Sequence, residues 1–268
     1  MMMTAEMTNK KQTKPSKKRL NLLDTVRGVA ILGMIFIHVS YDIPAIFGAY
    51  PPYLGTLGYE VFCQCVRITF IFLSGFCVLL GKKTLKRGLI VSAAGLLVTI
   101  VSIFIDEPIY FGVLTLIGAC MLLSIPFKKI VTKKNAPVFF FVCLLLFFAT
   151  IRIHHGYFGI YKHPLFFYPS ILYSTTNPVL TPIFAFLGFP GPKFTSADYF
   201  PLIPWFFLFL SGLSFYAWVG EALKQKEWMK LRIEPMTFLG KYSLWVYLIH
   251  QPVIYGIMLG IFSLSKIL

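Results

Sequence analysis

The sequence has few charged residues, and most of those it has are positive. Only 13% of its 268 residues are Asp, Glu, Lys or Arg, whereas a soluble domain has about 25%. Lys and Arg together number 25, but Asp and Glu only 10. Hydrophobic residues make up 57% of the chain and the mean hydropathy is +0.75. This composition excludes an ordinary soluble domain and predicts a polytopic membrane protein.

Common motifs of soluble enzymes are also missing. The sequence has no Walker loop, GxGxxG, GxSxG or HExxH, so it gives no support to a soluble kinase, dehydrogenase or hydrolase. The five cysteines all lie in apolar segments, and Cys63-x-Cys65 has the wrong spacing for a CxxC site. His154, His155 and His163 are a weak metal signal, and no metal site is predicted.

Seven apolar runs are long enough to cross a bilayer. The stretch 165–190 is also apolar, but several prolines interrupt it, so we do not expect it to cross. We predict an all-α polytopic membrane protein with about seven transmembrane helices and an external segment, 153–198, that is partly re-entrant or interfacial. Residues 1–20 are expected to be a disordered basic tail, and 21–268 a single transmembrane domain. The predicted spans are 21–41, 59–81, 88–105, 109–127, 136–152, 199–220 and 240–262.

Positive charges fall in blocks between the apolar runs. Such blocks mark cytoplasmic loops, and a chain that begins inside and does not cross at 165–190 places all four blocks inside. The N-terminus is then cytoplasmic and the C-terminus outside. The blocks do not form one groove-shaped patch, so nucleic-acid binding is not expected. The blocks are Lys10 to Arg19, Lys82 to Arg87, Lys128 to Lys134, and Lys224 to Lys241.

Arg27 and His38 share one face of the first predicted helix. They are eleven residues apart, which corresponds to a small change of azimuth and a rise of about 16 Å. Ionisable groups in a spanning helix are costly and usually face a bundle interior or a cavity. Arg27 is a candidate for binding the phosphates or carbonyl of a donor, although an ion pair with Asp24 or a snorkelling side chain would also explain it.

Asp42 and Arg67 are the next candidates. Asp42 follows His38 by four residues and could orient its imidazole as a general base, or it could simply end the helix. Arg67 is expected at the depth of His38 on the second helix. It could stabilise an oxyanion or form a fixed ion pair with Asp42 or Glu60.

Weaker candidates for substrate binding lie in the last two spans. The start of the sixth predicted span contains Asp198, Tyr199 and Trp205. Asp198 could have a purely structural role as the N-cap of that helix. His250 and Gln251 precede Pro252 in the middle of the last span. His250 could also bond a neighbouring helix.

Several runs resemble the transmembrane acyltransferases. The opening run RLNLLDTVRGVAILGMIFIHVSYD carries the Arg-x10-His pair of the acyltransferase-3 proteins. The whole chain after residue 19 is similar to the small bacterial branch of the heparan-alpha-glucosaminide N-acetyltransferase catalytic-domain family. Further matching runs are TFIFLSGFCVLLG at 69–81, FGVLTLIGACMLL at 111–123, LGFPGPKFTSADYFPLIPWFFLFLSGLSF at 187–215 and LGKYSLWVYLIHQPV at 239–253.

The resemblance implies an acetyltransferase that uses acetyl-CoA as a co-substrate and has no permanently bound cofactor. It implies donor binding at Arg27 on the inner side, acyl transfer at His38, and a glycan or similar acceptor on the outer side. Two departures stand out: Thr115 replaces a His that is frequent in this branch, and the loop 42–58 has no His.

The leading hypothesis is therefore an integral membrane O- or N-acetyltransferase of the cell membrane. An anion carrier or channel lined by Arg27, Arg67 and His250 remains an alternative, although the sequence shows no internal repeat. A catalytically inactive membrane scaffold of the same fold is a third. The expected partners are the lipid bilayer, acyl-CoA and the acceptor, and self-association into a homo-oligomer is left open.

Overall fold

The computed structural model describes residues 20–160 and 163–265, so almost all of the predicted basic tail, 1–20, lies outside the described residues. Helices dominate this part of the chain, and β1 (Tyr157–Ile160) and β2 (His163–Phe167) form a single antiparallel hairpin. The described α-helices are α1 (Asn21–Phe47), α2 (Leu57–Val78), α3 (Thr84–Phe104), α4 (Val113–Ile130), α5 (Ala136–Thr150), α6 (Leu180–Leu187), α7 (Leu202–Lys224), α8 (Met236–Lys241) and α9 (Ser243–Ser265).

Seven of these helices are long and apolar enough to cross a membrane, which confirms the predicted number. The two others, α6 and α8, have only 8 and 6 residues. A helix as short as α6 rises about 12 Å, less than half of the hydrocarbon core. The stretch 165–190 thus contributes no spanning helix, as expected from its prolines.

Most predicted span boundaries differ from the structure by a few residues, and two of the differences have a clear structural basis. The first span continues past residue 41 to Phe47 and ends at Gly48, whose φ of 65° is the left-handed conformation common after a helix. The last span does not begin at 240, because the helix is interrupted at Tyr242 and a new helix, α9, begins at Ser243. In both cases the difference depends on packing, which an apolar run in the sequence does not reveal.

We name the two ends of the bundle by their contents. The basic end holds the start of α1, the 79–83 turn, the end of α4, and residues 225–241. The hairpin end holds the loops 48–56 and 105–112 and the long segment 151–201, which contains the β-hairpin and α6.

The centre of the bundle is the packing of α7 against α2 and α5. Glycines allow α2 and α7 to approach closely. A Cβ at Gly75 would overlap the carbonyl oxygen of Phe209, and one at Gly212 would overlap that of Phe72. Close approach of this kind gives van der Waals contact, which stabilises helix pairs where lipid supplies no hydrophobic driving force.

The short helix α8 is held tightly against the first turns of α1. A Cβ at Gly28 would overlap the Met236 carbonyl oxygen, and one at Gly240 would overlap the Asp24 carbonyl oxygen. The hydroxyls of Thr25 and Thr237 share a buried hydrogen bond of 2.8 Å. Because α9 begins two residues after α8, this contact sets where α9 lies beside α1.

Tyrosine hydroxyls fasten the 151–201 segment to itself and to α5. Tyr168 donates to the carbonyl of Ala149 at 2.9 Å, and Tyr173 donates to that of Ile153 at 2.5 Å. Further along, the backbone of residues 196–200 bonds the loop before α4, with Phe200 N–H donating to the carbonyl of Phe111 at 2.9 Å. The segment thereby carries residue 198 to the first turn of α4.

Candidate functional site

Two imidazoles face each other across α1 and α9. The ring centroids of His38 and His250 are 4.9 Å apart and the rings are tilted by 59°. His38 is half-buried, whereas His250 is only 7% exposed. The structure thus brings together the first candidate from the sequence and one of the weak ones, although they are 212 residues apart in the chain.

Hydrogen bonding fixes the tautomer of His250. Its Nδ1 lies 2.6 Å from the carbonyl oxygen of Tyr247. A carbonyl can only accept, so Nδ1 carries the proton and Nε2 carries the lone pair. That Nε2 is buried and has no hydrogen-bond partner among the described residues. A buried polar atom without a partner is costly, and such an atom often marks a functional position.

Asp42 does not orient His38, contrary to the expectation from their spacing. Its carboxylate accepts from the Nε2 amide of Gln251, at 2.9 and 3.2 Å to its two oxygens. No hydrogen bond joins Asp42 to His38 within residues 20–160 and 163–265. The short Asp side chain turns to α9, which offers an amide donor that the sequence spacing could not locate. Gln251 therefore ties α9 to α1 directly beside the imidazole pair.

Arg67 carries its charge next to His38, as the depth argument predicted. Its guanidinium carbon lies 5.8 Å from the centroid of the Phe200 ring, and its charge acts on both His38 and Asp198. The expected ion pair with Asp42 or Glu60 is not formed. Throughout the described part of the chain, Arg67 has no salt bridge and no hydrogen bond.

Asp198 does not cap the sixth spanning helix. That helix, α7, begins at Leu202 with Pro201 before it, three residues further on than a cap at Asp198 would require. The Asp198 carboxylate instead accepts a long bond of 3.4 Å from the Tyr247 hydroxyl and lies near the backbone N–H of Val113. Burial raises the pKa of the Asp198 carboxyl, and the charge of Arg67 opposes that rise.

Tyr199 and Trp205 have packing roles in the structure. The Tyr199 hydroxyl donates to the carbonyl of Ala185, so it holds the 151–201 segment together. Trp205 is 6% exposed and stacks among Phe147 and Phe200 in the core. Trp205 is buried, whereas Tyr199 is partly exposed, and substrate binding by these two side chains stays a prediction.

Arg27 lies at the basic end and is engaged by protein groups. It forms an ion pair of 3.0 Å with Asp24 and approaches the carbonyl of Gly240 at 3.4 Å and the sulfur of Cys77 at 3.1 Å. The Asp24–Arg27 pair, one of the two alternatives from the sequence, is thus what the structure contains. Donor binding at Arg27 stays a prediction.

Sequence reasoning missed Tyr247 as a member of the site. It lies three residues before His250 on the same helix face, and its buried hydroxyl reaches Asp198. That spacing was the available signal. Tyr247 also borders a small cavity between α3, α4 and α9, to which Gly95 and Thr115 contribute.

The site therefore combines groups from four parts of the chain. They are His38 on α1, Arg67 on α2, Asp198 before α7 and His250 on α9. No group of three or more His, Cys, Asp or Glu side chains suited to a metal ion occurs among residues that the structure describes. These features define a polytopic membrane protein with a buried His–His pair beside an unpaired cation.

Comparison with known families identifies the class further. The model of the family "Heparan-alpha-glucosaminide N-acetyltransferase, catalytic" matches residues 19–252. The chain belongs to this family, which confirms the resemblance inferred from the motifs, and the family name indicates a membrane acetyltransferase type of function. No curated protein and no solved structure matches the chain.

Proposed function

We propose that this protein is an integral membrane acetyltransferase that moves an acetyl group from acetyl-CoA to a hydroxyl or amine of an acceptor. Two findings support the proposal. The chain belongs to a family with an acetyltransferase name. A polar site that can transfer protons lies between the two ends of the spanning bundle, where the two substrates would meet.

The contact between His38 and His250 is the observation that carries the proposal. Two imidazoles in contact inside a spanning bundle are expensive, because each loses hydration and neither gains an ion pair. A structural role would be served by one His bonded to a neighbouring carbonyl. Here His250 has that bond, its Nε2 has no hydrogen-bond partner among the described residues, and the His38 ring lies beside it with the centroids 4.9 Å apart.

In the proposed reaction, His38 accepts the proton of the acceptor hydroxyl or amine as that oxygen or nitrogen attacks the thioester carbonyl. A carbon–oxygen or carbon–nitrogen bond forms, the carbon–sulfur bond breaks, and the CoA thiolate leaves. The imidazolium of His38 returns its proton to that thiolate. The Nε2 of the adjacent His250 can accept a hydrogen bond from His38. The charge of Arg67 favours negative charge at this place.

The donor would approach from the basic end. Under the positive-inside rule this end faces the cytoplasm, where acetyl-CoA is made. Lys128 lies there, bonded to the hydroxyl of Thr84 at 2.7 Å, and its charge and that of Arg87 act on each other. Arg27 stands about 16 Å below His38 along α1. If the phosphates of acetyl-CoA bind at this end, its thioester can extend toward the imidazole pair.

The acceptor would approach from the hairpin end, which then faces outward. The 151–201 segment covers that end and brings Asp198 and Phe200 beside Arg67. This arrangement suits an extracytoplasmic acceptor, a glycan or a similar molecule, that is held by the segment while its reacting group reaches His38.

The test is acetyl transfer by purified protein in lipid nanodiscs. Labelled acetyl-CoA is offered with a panel of amino sugars and polyols, and CoA release and acetylated product are measured together. Wild-type protein should transfer the label, and His38→Ala should reduce transfer by about 10²–10⁴-fold, the usual contribution of a general base. His250→Ala should also impair transfer.

The matched control is His163→Ala, because His163 lies exposed on the β-hairpin. That variant should keep wild-type activity. Equal activity of His38→Ala and wild type would exclude the proposed role of the imidazole pair. Anion flux in proteoliposomes without any acetyl transfer would favour the carrier alternative.

A further inference from the structure

The guanidinium of Arg67 is a charge inside the bundle that forms no ion pair and no hydrogen bond with the residues that the structure describes. Arg67 is half-buried on spanning helix α2, and in the described residues its only specific contact is the face of Phe200. A guanidinium has five N–H donors and stays charged under all ordinary conditions. Buried charges in proteins are paired or bind a ligand, because unpaired ones are costly.

The carboxylates that could pair with Arg67 have other partners. Asp198 lies close enough for their charges to interact, but its oxygen is bonded by Tyr247. Asp42 is bonded by the amide of Gln251. Glu60 is seven residues away on the same helix, which corresponds to about 10 Å. A structural ion pair for Arg67 is thus available in the neighbourhood and is not made.

Other polar atoms near Arg67 also lack partners. Gln64 stands one turn away on the same face of α2, and its Oε1 is buried without a hydrogen bond. The Nδ1 of His154, on whose ring the charges of Arg67 and Arg152 both act, is in the same condition. The guanidinium thus lies near polar atoms that have no partner, with the Asp198 carboxylate also close by.

We propose that Arg67 binds an anionic group of the acceptor, a carboxylate, phosphate or sulfate, and so selects acidic acceptors. The identification of the bound molecule as the acceptor rests on the proposed function. The guanidinium fork fits the two oxygens of such a group, and the guanidinium carbon lies 5.8 Å from the centroid of the Phe200 ring. His38 next to Arg67 then faces the hydroxyl or amine that reacts.

Binding of inorganic phosphate tests the anion site without any turnover. The thermal unfolding of purified protein is measured with phosphate against chloride at equal ionic strength. Phosphate should raise the unfolding temperature of wild type and of the control Arg232→Gln, whose exposed guanidinium pairs with Glu234 at the basic end. Arg67→Gln should lose the rise, and Arg67→Lys should keep part of it.

Without phosphate, Arg67→Gln should lose little stability, because the guanidinium forms no hydrogen bond or ion pair with the described residues that the substitution would break. A structural arginine would instead cost stability when it is replaced. An equal phosphate effect in wild type and Arg67→Gln, or no effect in either, would overturn the proposed anion site. None of these outcomes depends on acetyl transfer, so the anion site can fail or hold independently of the proposed function.

Kinetics then test whether the anion belongs to the acceptor. Glucosamine 6-phosphate and glucosamine serve as probes that differ only in charge. Arg67→Gln should raise KM about 10–100-fold more for the phosphorylated probe than for glucosamine, which is the usual contribution of one charged hydrogen-bonded contact. Any loss of kcat that comes from the missing charge at the reacting group should be equal for the two probes. An equal change in KM for the two probes would overturn the acceptor role.

Discussion

The contact between α1 and α8 gives the sharpest test of the packing that positions the site. At Gly240 an added methyl group would overlap the carbonyl oxygen of Asp24, and it would lie 2.6 Å from that carbonyl carbon and 3.0 Å from the backbone nitrogen of Gly28. All three are backbone atoms, so no side chain can rotate away. Gly240→Ala must therefore push α8 away from α1.

The size of the effect follows from the geometry. Restoring ordinary contact of about 3.5 Å with the Asp24 carbonyl oxygen, the nearest of the three atoms, requires a shift of about 2 Å. Overpacking of this kind costs about 1–3 kcal/mol. The shift carries α9 with it, because α9 starts two residues after α8. We expect Gly240→Ala to lower both the free energy of unfolding and acetyl transfer, since His250 moves relative to His38.

Gly256→Ala is the matched control. Gly256 lies on α9 with no atom within 4 Å of an added methyl group. That variant should be neutral or stabilising by up to about 1 kcal/mol, the difference in helix propensity between Ala and Gly. Thermal or denaturant unfolding in detergent measures both variants. A Gly240→Ala protein as stable and active as Gly256→Ala would refute the role given to the α1–α8 contact.

Three further outcomes are expected. Thr25→Val should lower the free energy of unfolding by about 0.5–1.5 kcal/mol. Because the Thr25 hydroxyl bonds that of Thr237, replacing both by valine should cost less than the sum of the two single substitutions, and strict additivity would contradict the bond. Gln251→Leu should lower the free energy of unfolding by about 1–3 kcal/mol, because the Asp42 carboxylate loses its hydrogen-bond donor. Asp42→Asn should lower it by less, and the reverse order would contradict the pairing. Reporter fusions should place the two termini on opposite faces of the membrane, with the N-terminus cytoplasmic; a shared face would contradict seven spans.

Much of the fold could be predicted from the sequence, because spanning helices depend on local apolar runs. The seven spans and the interruption of 165–190 by prolines follow from length and composition alone. The break at Tyr242 and the start of α7 at Leu202 do not. They result from the approach of α8 to α1 and from the reach of residues 196–200 to α4, which are contacts between distant segments.

The sequence allowed individual residues of the candidate site to be predicted, but not which of them contact each other. His38 and Arg67 were found from the cost of charge in a spanning helix, and the structure places them together. The partner of His38 was wrong: spacing favoured Asp42, but packing supplies His250 from a helix 212 residues away. Helical spacing reports neighbours on one helix only, and this site is assembled from different helices and the long segment before α7.

Transfer across a sealed bilayer tests the central claim most directly. Proteoliposomes are prepared with labelled acetyl-CoA only on the side of the basic end, and acceptor only on the side of the hairpin end. If the donor and the acceptor meet at the His38–His250 pair, wild-type protein should place the label on the acceptor across the membrane, and His38→Ala should not. Labelling that requires donor and acceptor on the same side, or that is equal in His38→Ala, would contradict the account.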